Sequence, residues 1–195
     1  FDPDTLQEIM PADTRLIVCN FPHNPTGALP SGKDWARILG LAEKVGAWVF
    51  SDEMYRLLEA SPELRLPPAV ERYERAVSLS GMSKVFGGAG LRIGWVVTHE
   101  PGLLGRMASL KDYTTICSSA PSELLSLMAL RSREAILEAN RQRVNTGPGP
   151  VGSGSAAASA NPRDPGRGAL AAGSPETGPT VLPVEGSTIT TVPRR

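Results

Sequence analysis

Leu16-Ile-Val-Cys19 runs straight into Asn20-Phe-Pro-His-Asn-Pro-Thr-Gly27, a β-rich apolar run followed by a stretch dense in turn formers. A helix is written directly after it. Ser31 is a candidate N-cap, and Trp35, Ile38, Leu39, Leu41, Ala42 and Val45 recur at helical spacing before Gly46 stops the run. Ala47-Trp-Val-Phe50 reads as a second strand that reaches Asp52. Ala76-Val-Ser-Leu79 reads as a third, leading into Ser80-Gly-Met-Ser-Lys84, and Ile93-Gly-Trp-Val-Val-Thr98 as a fourth. Residues 103–112 and 122–131 read as amphipathic helices and 133–143 as a weaker one. Strands alternating with helices predict an α/β layered domain. In such sheets, polar residues just past the strand ends gather in a crevice where ligands bind. Asn24, Asp52, Tyr55 and the run from Ser80 to Lys84 occupy those positions. No internal repeat is visible.

Composition narrows the field further. A length of 195 residues is that of one domain. Twenty basic and twenty acidic side chains give zero net charge, which excludes a sequence-blind electrostatic grip on nucleic acid or anionic lipid. Two cysteines, Cys19 and Cys117, cannot build a disulfide framework, and a reducing compartment is expected. No apolar run approaches the roughly 20 residues of a membrane span. Position 1 is not Met and no leader is visible, so the chain is expected to begin inside a longer one. All ten aromatics lie between Phe1 and Tyr113. Beyond them, Gly, Pro, Ala and Ser supply 29 of residues 144–195, with no aromatic and no Lys. That composition cannot offset chain entropy by apolar burial, so residues 1–143 are expected to hold the fold and residues 144–195 to form a disordered, low-complexity tail. Its Gly, Ala, Pro and Arg content would suit a GC-rich coding sequence read in a shifted frame.

Each polar cluster has an ordinary structural reading when taken alone. Asn24 to Gly27 makes a turn, Asp52 caps a helix, Lys84 sits in a solvated Gly-rich loop, and Arg92 is a surface cation. What singles them out is their convergence after successive strands. Asn24-Pro-Thr-Gly27, Ser51-Asp-Glu-Met-Tyr55, Ser83-Lys84 and Gly90-Leu-Arg-Ile-Gly-Trp95, in this order and spacing, resemble the class I/II aminotransferases of the aspartate aminotransferase fold. These are fold type I enzymes that use pyridoxal 5′-phosphate. The resemblance covers residues 1–143 as part of the large, cofactor-binding domain, and implies a partial three-layer αβα architecture.

The resemblance also implies roles. Lys84 forms the Schiff base with the cofactor aldehyde and then shuttles the proton between substrate Cα and the cofactor. Asp52 pairs with the pyridine nitrogen and keeps it protonated, so that the ring can take up electrons. Asn24 and Tyr55 hydrogen-bond the phenolate oxygen, and Arg92 holds the phosphate as a fixed charged fork. The Asn24–Pro25 bond is cis in the family. Many members carry Ser three residues before the lysine as a phosphate ligand; here Gly81 stands there, and Ser80 or Ser83 could substitute. The family's earlier phosphate loop and ring-stacking aromatic would precede Phe1. Its arginine for the substrate carboxylate would lie where the Gly/Pro/Ala tail stands. His23 and His99 lack metal-ligand spacing and read as structural.

The implied activity is amino transfer between an amino acid and a 2-oxo acid, by a cytoplasmic enzyme that is homodimeric at full length. The 195-residue chain alone is expected to be inactive, and no nucleic-acid or membrane partner is expected. Decarboxylases, lyases and cyclising synthases of this fold share every residue named. An aminotransferase-like effector domain of a transcription regulator is the non-enzymatic alternative, against which the intact Asn24 to Gly27 motif counts.

Overall fold

The computed structural model describes residues 2–146, 180–184 and 187–193. A short helix, α1 (Pro3–Ile9), precedes strand β1 (Thr14–Asn20). The sequence reading passed over α1, although Asp2 and Pro3 mark its start. The Asp2 side chain accepts from the Asp4 amide, and Pro3 occupies the first helical turn. Helix α2 (Gly32–Val45) begins at Ser31, whose Oγ accepts from the Asp34 amide at 3.1 Å. It ends at Gly46, which takes the left-handed conformation (φ 67°) that a residue with Cβ resists. Strands β2 (Trp48–Asp52), β3 (Ala76–Gly81) and β4 (Gly94–Thr98) follow, then helices α3 (Pro101–Thr114), α4 (Ala120–Arg131) and α5 (Arg133–Thr146).

Strands β1, β2 and β3 are parallel neighbours, and β4 runs antiparallel to β3. The register pairs Asn20 with Asp52 and Asp52 with Leu79, so the parallel strands end side by side and their following loops share one edge of the sheet. The four strands are those expected from the sequence.

Two segments of the low-complexity stretch depart from the expected absence of structure. Strands β5 (Thr180–Val184) and β6 (Ser187–Pro193) form an antiparallel pair, and β6 runs antiparallel to β1, giving the sheet order β4-β3-β2-β1-β6-β5. Averaging over 52 residues hid Thr180-Val-Leu-Pro-Val184 and Ser187-Thr-Ile-Thr-Thr-Val192, two β-branched runs separated by Glu185-Gly186. Residues 144–146 of the expected disordered tail instead complete α5, and the rest of that tail, apart from β5 and β6, lies outside the described residues.

The main core lies where α1 and α2 cover β1 and β2. Ile17, Cys19, Ile38, Ala42 and Val49 are fully buried there, and Phe21 meets Trp35 edge to face with ring centroids 6.1 Å apart. An Arg37–Asp4 ion pair ties α2 to α1. A second cluster of Leu58, Val85 and Leu137 seats α5 beneath the loop after β3, and the Asn140 amide donates to the Val85 carbonyl at 2.9 Å. Helices α3 and α4 form where periodicity predicts them but do not bury an apolar face. Leu110, Ile116, Leu124 and Met128 are all more than half exposed. Among the described residues, no helix is long and apolar enough to cross a membrane.

Candidate active site

The loops at the common strand edge bring Asn24, Tyr55 and Lys84 together. Asn24 lies in the turn after β1, where the Asn24–Pro25 peptide is cis, as is Phe21–Pro22. Its Nδ2 donates to the Tyr55 hydroxyl at 3.1 Å across 31 residues of sequence. Tyr55 sits in the turn after β2, three residues past Asp52. Lys84 is exposed in the loop after β3, with its Nζ 5.6 Å from the Tyr55 ring centroid, within cation–π range. An amide donor, a phenolic hydroxyl and a primary amine are therefore grouped around the Tyr55 side chain, each from the loop after a different strand.

Asp52 closes β2, with Oδ1 accepting from the Met54 amide at 3.1 Å. Its backbone carbonyl accepts from the Phe21 amide at 3.2 Å and from Asn20 Nδ2 at 3.3 Å. Asn20 is the residue the sequence reading missed. Its Oδ1 also accepts from the Asn24 amide at 2.9 Å, so one side chain couples the Asn24 turn to Asp52. An Asn at the start of a turn was the available signal, because Asx side chains bond backbone groups a few residues on.

Ser80 lies within β3 opposite Trp95, and Ser83 sits beside Lys84; both are partly buried. Arg92 is exposed with φ 55°, and its Nη1 donates to the Ala89 carbonyl at 3.2 Å within its own loop. The described contacts bring none of these three onto the Asn24–Tyr55–Lys84 group. Gly81 stands close against β4. A Cβ there would lie 2.9 Å from the Ile93 carbonyl oxygen and 3.0 Å from Gly94 Cα, so a side chain at 81 has no room. His23 bonds Thr26 Oγ1 at 2.8 Å, and His99 Nε2 lies 2.9 Å from the Val70 carbonyl; both hold loops in place. No group of three or more metal-ligating side chains occurs among the described residues.

Residues 2–146 match the family model for aminotransferase class I and II. The chain belongs to the class I and II aminotransferase family. Similar relatives of this family include an aspartate aminotransferase of Thermococcus kodakarensis, 33% identical over 127 residues, covering 65% of this chain and 34% of that protein. A capreomycidine synthase of Streptomyces vinaceus is 31% identical over 137 residues, covering 70% and 34% of the respective chains. Among solved structures, a PLP-dependent aminotransferase from Streptococcus suis superposes with a TM-score of 0.67 at 31% identity, over 74% of this chain and 37% of that one. The chain thus spans about a third of the length of the relatives it matches. The mixed α/β sheet is accordingly part of an aminotransferase fold.

Proposed function

We propose that this chain is part of the cofactor-binding domain of a pyridoxal 5′-phosphate-dependent aminotransferase that exchanges an amino group between an amino acid and a 2-oxo acid. The observation that carries the reading is the Asn24–Tyr55–Lys84 convergence beside Asp52. The donor set fits the cofactor: two neutral donors 3.1 Å apart suit one anionic ring oxygen, and an exposed primary amine stands beside them. Family membership and the neighbour described as PLP-dependent agree with it. When bound, the cofactor supplies an aldehyde that an amine can capture and a ring that accepts electrons released from the substrate Cα.

Each residue then has one task. Lys84 holds the cofactor, and once released its Nζ takes the proton from the substrate Cα. The Asp52 carboxylate keeps a proton on the ring nitrogen, where a positive charge favours electron uptake. Asn24 Nδ2 and the Tyr55 hydroxyl donate to the phenolic oxygen, and Arg92 carries the phosphate charge, with Ser80 and Ser83 as auxiliary donors. In this reading the full-length enzyme is a cytoplasmic homodimer.

Titrating the 195-residue chain with pyridoxal 5′-phosphate tests the reading. A visible absorbance band should develop with the wild type, vanish in Lys84→Ala, and need more cofactor in Arg92→Ala. A band of equal size in Lys84→Ala would contradict it.

A further inference from the structure

Asp52 is the last residue of β2 and Glu53 the first after it; the alternation that buries Val49 and Ser51 continues into Glu53, on the face opposite to Asp52. Asp52 is partly buried, whereas Glu53 is only 6% exposed. A carboxylate kept from water is costly unless donors meet it. Two do. Ser78 Oγ donates to Glu53 Oε1 at 2.7 Å, and the Ala69 amide donates to the same oxygen at 2.9 Å. Ser78, in the middle of β3, accepts in turn from the Val70 amide at 3.2 Å, and the Val70 carbonyl lies 2.9 Å from His99 Nε2 past the end of β4. The Glu53 backbone amide donates to the Leu79 carbonyl at 2.9 Å. One buried side chain thus fastens the first residue after β2 to β3, to the 3-10 turn Ala69–Glu71 and, through that turn, to the end of β4.

Among the described residues, Asp52 has no comparable anchor on its own face. Its carboxylate bearing is set by the Met54 amide, one residue beyond Glu53. If the Glu53 anchor is lost, the peptide carrying that amide can swing, and Asp52 swings with it. We propose that Glu53 is a positioning residue, whose buried carboxylate fixes the direction of Asp52 toward the cofactor from the opposite face of the sheet. The proposal rests on the reading of Asp52 as the ring-nitrogen partner.

Amide hydrogen exchange of the cofactor-free 195-residue chain, paired with pyridoxal 5′-phosphate titration, separates positioning from bulk stability. In Glu53→Ala, the Met54 and Phe21 amides that bear on Asp52 should exchange at least about tenfold faster, while the ladder amide of Val49 keeps its rate. Cofactor affinity should fall about tenfold. Glu53→Gln, which retains an acceptor for the Ala69 amide, should restore most of both effects. Ser78→Ala should reproduce part of them, and it carries the test if Glu53→Ala does not fold. Ile38→Ala, a core control, should speed all amides together. Uniform acceleration in Glu53→Ala, or Glu53→Gln no better than Glu53→Ala, would overturn the anchoring. Anchoring without lysine-dependent cofactor binding in the wild type would instead overturn the functional reading, and the role proposed for Glu53 with it.

Discussion

At the residue scale, the site is built from side chains whose positions follow from where each strand stops. Asn24, Asp52, Tyr55 and Lys84 stood out as candidates because each lies at or just past the end of an apolar run, and their order and spacing carried the family resemblance. The bond from Asn20 to the Asp52 carbonyl and the bond from Ser78 to Glu53 were not legible, because both cross between neighbouring strands and no spacing encodes them. Asp52→Asn keeps the shape but removes the charge. The lost charge-assisted bond is worth about 1.5–3 kcal/mol, so cofactor affinity should fall roughly tenfold to a hundredfold in a spectroscopic titration. Unchanged affinity would mean that Asp52 does not face the ring nitrogen. The two cysteines should behave oppositely. Burial pushes the Cys19 thiol up to about 12 from its ordinary 9.0, whereas Cys117 is exposed. A folded-state value above the unfolded one stabilises below the unfolded value and is lost as pH climbs from about 9 toward about 12. The urea midpoint should therefore drop between pH about 7 and about 10.5, and less so in Cys19→Ala. At neutral pH an alkylating reagent should label Cys117 and spare Cys19, as read by mass spectrometry.

At the element scale, the close β3–β4 approach bears on the phosphate contacts proposed for the cofactor. Gly81 is squeezed against the Ile93 carbonyl, so the serine that many family members carry there cannot simply be put back. Gly81→Ser should cost about 1–3 kcal/mol of stability by forcing β4 away from β3, and it should not improve cofactor affinity. Thermal melting and titration of the variant check both halves. A variant as stable as the wild type that binds the cofactor more tightly would contradict the close β3–β4 approach. Strands β1 to β4 and helix α2 were readable because apolar runs, an N-cap and a C-terminal glycine agree on the same boundaries. Helices α3 and α4 were readable as helices but not as exposed ones, since periodicity reports an apolar face and not whether anything covers it. The antiparallel pair of β5 and β6 escaped because its β-branched runs are short and embedded in Gly, Pro and Ala.

At the scale of the whole molecule, the chain spans about a third of its relatives' length and leaves large apolar side chains of α3 and α4 in water. Exposed apolar side chains in such number favour association. The 195-residue chain should therefore self-associate in light scattering. It should also fail to transaminate glutamate, alanine or aspartate above the rate of free cofactor, because it spans only about a third of the length of its relatives. A monodisperse monomer that turns over would contradict that expectation. The central claim is narrower, namely that Lys84 is the lysine that holds the cofactor. The chain has only four lysines, Lys33, Lys44, Lys84 and Lys111, and all four are exposed, so accessibility alone does not choose among them. Only Lys84 stands beside the Asn24–Tyr55 pair. Borohydride fixation of the cofactor-loaded chain followed by peptide mapping reads the choice directly. The account predicts the pyridoxyl group on Lys84; its appearance mainly on Lys33, Lys44 or Lys111 would contradict it.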